Sequence, residues 1–282
     1  MVTKIDYDAF SPEAPRISTD LKNHRNKIEE ITLPSGFTGF YSDLWWRDRK
    51  QFGKNFKRFI ISENSCRYPY ELIGMLLELA DVENVTSAGE FVESEGVVYT
   101  DDYSVAIGTR KNNNIRKYVM PASIKFVVKG FWNGLTELEE LTITSQIKVY
   151  DGETSYSRLE YKFGNMKNLK RVSVSGMTVF PGHLLSYAET IEEVFIHEGV
   201  QKIEKFAFDS CKSLRKLTIP RSCTEIEDHI FPRVYEKDWY GRSKYVGLPE
   251  GFMLYCYESS YAEQYAKEEN APFTYLEENE SN

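Results

Sequence analysis

A short apolar hexad recurs through the chain, and its spacing constrains the fold more than any other feature. The sequence reads IEEVFI from Ile191 and LRKLTI from Leu214, so apolar residues at positions 1, 4 and 6 return after 23 residues. The segment from Val200 to Cys211 reads V-x-x-I-x-x-F-A-F-x-x-C. A period in the twenties is typical of a solenoid, in which each unit buries its apolar side only by stacking on the next one.

Six further copies of the hexad precede these two. They are IEEITL from Ile28, FKRFII from Phe56, IRKYVM from Ile115, LEELTI from Leu138, LKRVSV from Leu169 and a degenerate copy, VENVTS from Val82, which has Ser87 at the sixth position. The alternation at positions 4 and 6 predicts a short strand with one face inward, and parallel stacking would place neighbouring strands about 4.8 Å apart. Pro34, Pro121 and Pro220 follow three of the hexads and mark strand ends, because proline has no N–H to donate.

The unit L-x-x-L-x-I-P, followed by V-x-x-I-x-x-x-A-F-x-x-C-x-x-L, resembles the BspA-type (treponema-type) leucine-rich repeat. FVESEGVVYTDDYSVAIGTR (Phe91–Arg110) is similar to a hairpin that interrupts such arrays, and YESSYAEQYAKEENAPFTYL (Tyr257–Leu276) is similar to the segment that closes them. The resemblance implies a curved, β-rich leucine-rich repeat array of about 7–8 rungs with a parallel sheet on the concave side. It also implies a surface protein of an anaerobic bacterium or a protist that binds macromolecules and carries no catalytic residues.

Three segments follow from this pattern. Residues 1–27 contain no rung and form an N-terminal arm or cap, residues 28–251 form the solenoid, and residues 252–282 form a C-terminal cap. In the cap, Ser259 or Ser260 is expected to begin a helix that runs to about Glu269, with Asn270 and Pro272 ending it. Such a cap covers the apolar side of the last rung.

Two insertions are candidate recognition loops, because loops on a rigid scaffold often carry binding residues. They are Val149–Gly164 and Val234–Gly251, and their candidate contact residues are Tyr150, Tyr156, Tyr161, Trp239, Tyr240 and Tyr245. Exposed tyrosine and tryptophan in these loops would suit a carbohydrate-binding surface protein. The alternative, that these rings pack back over the rungs, stays open.

The outward positions of the hexads predict two rows on the concave face. Position 3 places Lys117, Glu140, Arg171, Glu193 and Lys216 in successive rungs, which predicts a ladder of alternating charge. Position 5 carries small or β-branched residues apart from Phe195, the one large aromatic in that row. Phe195 is therefore the principal candidate for an exposed contact, and its burial beneath a neighbouring loop is the alternative.

No catalytic motif stands out from the sequence. It lacks G-x-S-x-G, H-E-x-x-H, G-x-G-x-x-G and the P-loop pattern, so no enzyme activity, metal or other cofactor is expected. His197 is expected to be a surface histidine. Asp101 and Asp102 fit a hairpin turn better than a calcium site. Cys211 and Cys223 are expected to be buried small hydrophobic residues, and the four cysteines include no C-x-x-C.

Charge and hydropathy bear on partners and location. The net charge of −8 argues against nucleic acid or an anionic membrane as the main partner. The sequence has no apolar run long enough to span a membrane. Without a signal peptide in view the expected location is cytoplasmic, with a secreted or cell-surface location as the alternative. The predicted function is a non-catalytic module that binds a protein or surface macromolecule through the concave face and the insertion loops.

Overall fold

The structure is a computed structural model, and it describes part of the chain. It gives the backbone of three strands at residues 30–33, 58–61 and 84–87, and then residues 91–109, 113–128, 131–146, 148–150, 163, 166–237, 239–240 and 242–277. The chain divides into two compact units. The first comprises residues 1–113, 126–134 and 149–155, and the second comprises residues 114–125, 135–148 and 156–282.

The first unit contains a parallel sheet and an antiparallel meander. The parallel sheet joins β1 (Glu30–Leu33), β2 (Arg58–Ile61) and β3 (Asn84–Ser87), with Glu30 opposite Arg58 and Arg58 opposite Asn84. The meander runs through β4 (Phe91–Ser94), β5 (Val97–Thr100) and β6 (Val105–Thr109). Its sheet continues through β8 (Phe126–Val128) to β10 (Lys148–Tyr150). The predicted inserted hairpin is thus confirmed.

Between β5 and β6 the chain turns at Asp101–Asp102, as the sequence predicts. The Asp102 carboxylate accepts hydrogen bonds from Thr100 Oγ1 at 2.7 Å and from the Ser104 backbone N–H at 2.9 Å. A short polar side chain that satisfies its own turn explains the acidic pair without a metal ion.

A seven-stranded parallel sheet organises the second unit. Its strand order is β20–β19–β15–β13–β11–β9–β7. The strands are β7 (Lys117–Val119), β9 (Glu140–Ile143), β11 (Arg171–Val174), β13 (Glu193–Ile196), β15 (Lys216–Thr218), β19 (Met253–Cys256) and β20 (Phe273–Tyr275). Together with β1–β3, every one of the eight hexads contributes a parallel strand, which confirms the β-rich solenoid.

Two smaller sheets complete the second unit. The parallel sheet of β12 (Val179–Phe180), β14 (Lys202–Ile203) and β16 (Glu225–Ile226) is built from the second half of successive repeats. The antiparallel pair of β17 (Val234–Lys237) and β18 (Ser243–Gly247) lies within the second predicted insertion.

The core of the second unit follows the repeat. The repeat predicts an inward face from hexad positions 1, 4 and 6 and from the apolar residues that follow, and ten such residues in two successive rungs are buried: Ile191, Val194, Ile196, Ile203, Phe208, Leu214, Leu217, Ile219, Ile226 and Phe231. Stacking continues between rungs, since the rings of Phe180 and Phe208 lie 5.0 Å apart. Burial of these wide apolar side chains is the main stabilising term, because each rung is too thin to close a core alone.

Glycine is required where two rungs approach closely. Gly176 has a φ of +68°, and a Cβ built there would lie 1.9 Å from the Thr144 carbonyl oxygen. Both the backbone conformation and the close approach exclude a larger residue. The rung from Leu169 therefore turns closely onto the preceding rung at this position.

The C-terminal cap matches its prediction closely. Helix α1 spans Tyr261–Glu268, and the Ser260 side chain accepts a hydrogen bond from the Glu263 N–H. Glu263 in turn accepts from the Ser259 N–H at 2.6 Å, which makes a reciprocal capping arrangement. Ala262, Tyr265 and Ala266 form the buried face of this helix. The ring centroids of Tyr265 and Phe231 lie 5.2 Å apart.

Candidate binding face

The exposed side of the seven-stranded sheet carries the clearest candidate site, and we name it the ladder face. In β9, β11 and β13 the residues at hexad positions 4 and 6 are buried, whereas those at positions 3 and 5 reach the surface or lie half-buried. Successive side chains of a strand point to opposite faces, so positions 3 and 5 share one face. The ladder face is defined by the position-3 row Lys117, Glu140, Arg171, Glu193, Lys216 and the position-5 row Val119, Thr142, Ser173, Phe195, Thr218, Tyr255.

The predicted charge ladder is present in register. Glu140 lies opposite both Lys117 and Arg171, Arg171 lies opposite Glu193, and Glu193 lies opposite Lys216. Lys117 and Lys216 each approach a glutamate to 3.0 Å, and Arg171 donates to Glu140. Arg171 and Lys117 hold the pKa of Glu140 below its usual range, with the Arg171 hydrogen bond as the largest cause.

A second row of paired charges, at hexad position 2, was not anticipated from the sequence. Arg116 lies 3.3 Å from Glu139, and Lys170 lies 2.6 Å from Glu192. The signal was available, because Arg116, Glu139, Lys170, Glu192 and Arg215 alternate in sign just as position 3 does. Exposed pairs of this kind fix which charges meet across the strands and add little stability.

An open depression of about 360 Å³ lies at the centre of the ladder face. Its floor and sides are formed by Glu140, Leu141, Thr142, Arg171, Val172, Ser173, Glu193, Phe195 and His197. The small side chains of Thr142 and Ser173 precede the large ring of Phe195 in the same row, which creates a step. The sequence analysis singled out Phe195, and the structure places it half-buried at that step.

His197 closes one side of the depression. Its Nε2 shares a hydrogen bond of 2.7 Å with Ser173 Oγ, and its ring meets the Phe195 ring edge-on at 4.5 Å. Partial burial lowers the pKa of His197 below its ordinary value of 6.5. The imidazole is therefore neutral at pH 7 and supplies one donor and one acceptor.

The Ser173–His197 pair has the spacing of a nucleophile and a general base, but two backbone N–H groups close to it are already hydrogen-bonded within the sheet. The N–H of Ser175 is donated to the Ile143 carbonyl at 2.7 Å, and the N–H of His197 is donated to the Val174 carbonyl at 2.9 Å. Donors already used by the sheet cannot stabilise a developing negative charge. The arrangement suits hydrogen bonding to a ligand better than acyl transfer.

Thr218 is an unusual member of the position-5 row. It lies between Phe195 and Tyr255 in the register of the sheet and is 1% exposed. Its buried Oγ1 has no hydrogen-bond partner in the described part of the chain. Native proteins satisfy nearly all buried polar atoms, so an unsatisfied one calls for an explanation.

The insertion residues fall into two groups. Tyr150 lies in β10, with its side chain outside the described residues, and Tyr156 and Tyr161 also fall outside them. Trp239, Tyr240 and Tyr245 belong to the β17–β18 hairpin and are 87%, 67% and 53% exposed. The structure therefore does not bring these three rings back over the rungs.

Two buried thiols lie in the repeat core. Burial raises the pKa of the Cys211 thiol to about 12 and that of Cys223 to about 11, so neither is a thiolate at neutral pH. Both are buried as predicted, and Cys66 lies outside the described residues. Within the described residues no three histidine, cysteine or acidic side chains cluster as metal ligands would. The helix described in this chain is too short and polar to cross a membrane.

The chain is similar to a repeat family and to several known proteins. Residues 109–236 match the family model of the BspA type leucine rich repeat region in six copies. A leucine-rich repeat protein from Eubacterium ventriosum is 16% identical over 70% of this chain and 57% of its own, with a TM-score of 0.41. The pneumococcal vaccine antigen PcpA is 13% identical over 89% of this chain and 68% of its own, with a TM-score of 0.46.

Among curated proteins, the ribosomal protein L11 methyltransferase of Fusobacterium nucleatum subsp. nucleatum is 33% identical over 119 residues. That match covers 41% of this chain and 38% of the methyltransferase, so this chain spans well under half of that relative. The residues that the family model matches include strands β7, β9, β11, β13 and β15 of the seven-stranded sheet. The chain therefore contains a leucine-rich repeat region of the BspA type, in residues 109–236.

Proposed function

We propose that this chain is a non-catalytic interaction module that binds a protein partner through the ladder face. The observation that carries the proposal is the depression around Phe195. It combines a half-buried aromatic ring, the Ser173–His197 hydrogen bond and flanking charges on a rigid parallel sheet. A rigid aromatic anchor with a few oriented polar groups is typical of interface centres.

The balance of charge on the face also favours a polypeptide over a nucleic acid. Along the position-3 row each cation meets a glutamate, so the face does not present a continuous basic strip. A phosphate backbone needs such a strip, whereas a protein surface can match alternating charges one by one.

The hydroxyl of Thr218 fits a role in recognition. A buried donor without a partner costs stability in the free protein, so its retention is explained if a bound partner reaches it. Its neighbours in the sheet register, Phe195 and Tyr255, are half-buried. On this view Thr218 lies beside the depression, next to Phe195, and the charge rows lie at the rim of the contact.

A random-peptide phage library panned on the intact chain tests the proposal. We expect enriched peptides whose binding is lost in Phe195→Ala and Thr218→Val and kept in Val119→Ala. Val119 is the matched control, because it lies in the same row, is 64% exposed and stands outside the depression. No enrichment, or binding that ignores Phe195, would refute the ladder face as the site.

Carbohydrate binding by the exposed tyrosines and tryptophan of residues 149–164 and 234–251 is the second candidate function. The high exposure of Trp239 and Tyr240 favours it. The ring pairs are tilted, however, by 55° for Trp239–Tyr240 and 59° for Tyr235–Tyr245. The two rings of each pair therefore face in different directions, and a glycan array tests whether they hold a sugar; protein binding ranks first because the depression around Phe195 supports it.

The match to the methyltransferase covers a minority of both proteins, and this sequence has no G-x-G-x-x-G nucleotide-binding motif, so methyl transfer is not part of the proposed function. For location, the family resemblance supports a cell-surface or secreted protein over the cytoplasm. Fractionation of source cells, followed by protease treatment of intact cells, distinguishes the two.

A further inference from the structure

The β17–β18 hairpin concentrates exposed aromatic side chains. In the described part of the chain nine large apolar or aromatic side chains are exposed, and five of them lie in this hairpin: Tyr235, Trp239, Tyr240, Tyr245 and Val246. Clustering of this kind marks an interaction surface, whereas single exposed apolar residues need no explanation.

Both faces of the hairpin are open. Tyr235 and Glu236 are consecutive and both exposed, and so are Lys244 and Tyr245 on the opposite strand. Because successive residues of a strand point to opposite faces, the two-stranded ribbon is solvated on both sides near its tip. A two-stranded hairpin is only marginally stable by itself in water. The exposed aromatic rings of this hairpin therefore add little to the stability of the fold.

The charge of the hairpin is opposite to that of the whole chain. Residues 234–247 hold three basic side chains and two acidic ones, a formal charge of +1, in a chain whose net charge is −8. Arg242 and Lys244 are exposed. The hairpin tip is therefore locally cationic and aromatic, a combination that suits an anionic interface.

The orientation of the aromatic rings bears on whether the hairpin binds a sugar or a lipid headgroup layer. The Trp239 and Tyr240 centroids are 4.4 Å apart with tilted planes, and the Arg242 guanidinium lies 5.0 Å from the Tyr240 centroid. The guanidinium over the Tyr240 ring occupies one of the faces on which a sugar would stack. A fluid headgroup layer adapts to any ring orientation, and tryptophan and tyrosine favour that layer because they combine an apolar body with a polar atom.

We propose that the β17–β18 hairpin docks the chain peripherally on an anionic lipid bilayer. Trp239 and Tyr240 enter the headgroup layer, and Arg242 and Lys244 lie beside lipid phosphates. The acidic remainder of the chain opposes a closer approach, so docking is weak and confined to the tip, and it declines as salt screens the cations. This role is independent of partner binding by the ladder face.

Co-sedimentation of the full chain with vesicles tests the proposal. We expect binding to phosphatidylcholine vesicles that contain phosphatidylglycerol, weaker binding to phosphatidylcholine alone, and loss of binding in high salt. Replacing Trp239→Ser together with Tyr240→Ser should weaken binding by about tenfold or more, since two rings leave the interface. Lys244→Glu should abolish the preference for phosphatidylglycerol.

Tyr187→Ser and Lys125→Glu are matched controls, because both residues are exposed and lie outside the hairpin; they should bind vesicles as the wild type does. Thermal unfolding of each variant verifies that the fold is kept. Three outcomes would overturn the proposal: no vesicle binding, vesicle binding that survives both hairpin variants, or dependence on Trp239 for glycan capture or self-association with no lipid binding.

Discussion

Ser173 Oγ and His197 Nε2 lie 2.7 Å apart across neighbouring strands, and this contact connects two repeats at the centre of the ladder face. Ser173 occupies position 5 of its hexad, and His197 follows the last position of the next hexad. The contact therefore depends on the register of β11 and β13. It also keeps the imidazole beside Phe195, where a partner would meet both.

The contact predicts a pH dependence of stability. Burial lowers the pKa of His197 in the folded state below its ordinary value of 6.5, so the unfolded chain binds this proton more readily. The contribution of neutral His197 is thus fully present above pH 6.5 and is lost as the pH falls through the folded pKa. Urea unfolding across this range should show wild-type stability falling more steeply with acid than that of His197→Asn. Equal slopes would contradict the buried environment.

Thr218→Val should leave the free energy of unfolding unchanged or raise it by up to about 1 kcal/mol, because the buried hydroxyl makes no hydrogen bond in the described part of the chain. Thr190→Val is the matched comparison. Thr190 Oγ1 donates to the Met166 and Leu169 carbonyls at 3.0 and 2.9 Å, so its loss should cost about 1 kcal/mol. Denaturant titration of both variants measures the difference. A marked loss in Thr218→Val would mean that its hydroxyl has a partner in solution.

Gly176→Ala should be clearly more destabilising than Gly199→Ala. Both glycines have positive φ, so both substitutions incur the left-handed penalty of about 1–2 kcal/mol. Only Gly176 faces a backbone oxygen 1.9 Å from the new Cβ, whereas the Cβ at Gly199 meets nothing within 4 Å. Melting temperatures of the two variants test this close approach between rungs, and equal losses would place the rungs further apart.

Phe208→Ala should cost about 3–5 kcal/mol, because a thin rung has few atoms that can move into the vacated space. Phe208 is fully buried and packs on Phe180 of the preceding rung. Tyr187→Ala, at a side chain 62% exposed, should change stability little. A loss below about 1 kcal/mol for Phe208→Ala would indicate that the rung faces the other way.

Much of the fold follows from the sequence because the repeat is local and self-consistent. Position-4 and position-6 residues such as Leu217 and Ile219 predict both the strand and its inward face, and the stacking of identical strands then fixes the register from Lys117 to Lys216. The cap was equally readable, since Ser260 and Glu263 form a capping pattern that acts within one turn of helix.

The candidate site was less accessible to sequence reasoning. The sequence predicts the charge ladder because its residues recur at position 3 of each hexad. It predicts Phe195 because a large aromatic residue stands out in the position-5 row. The Ser173–His197 contact was not predicted, because it joins different hexad positions and depends on side-chain rotation. The hairpin of β17 and β18 was recognised only as an insertion, because Tyr235 and Tyr245 alternate with residues that are also exposed, so no inward face marks the strands.

Calorimetric titration of one library-selected peptide into wild type, Phe195→Ala and Val119→Ala tests the central claim most directly. If the ladder face binds through its depression, Phe195→Ala should weaken the affinity by about tenfold or more, as expected for an interface anchor, while Val119→Ala should match the wild type. Equal affinities for all three proteins, with each variant folded, would contradict the account.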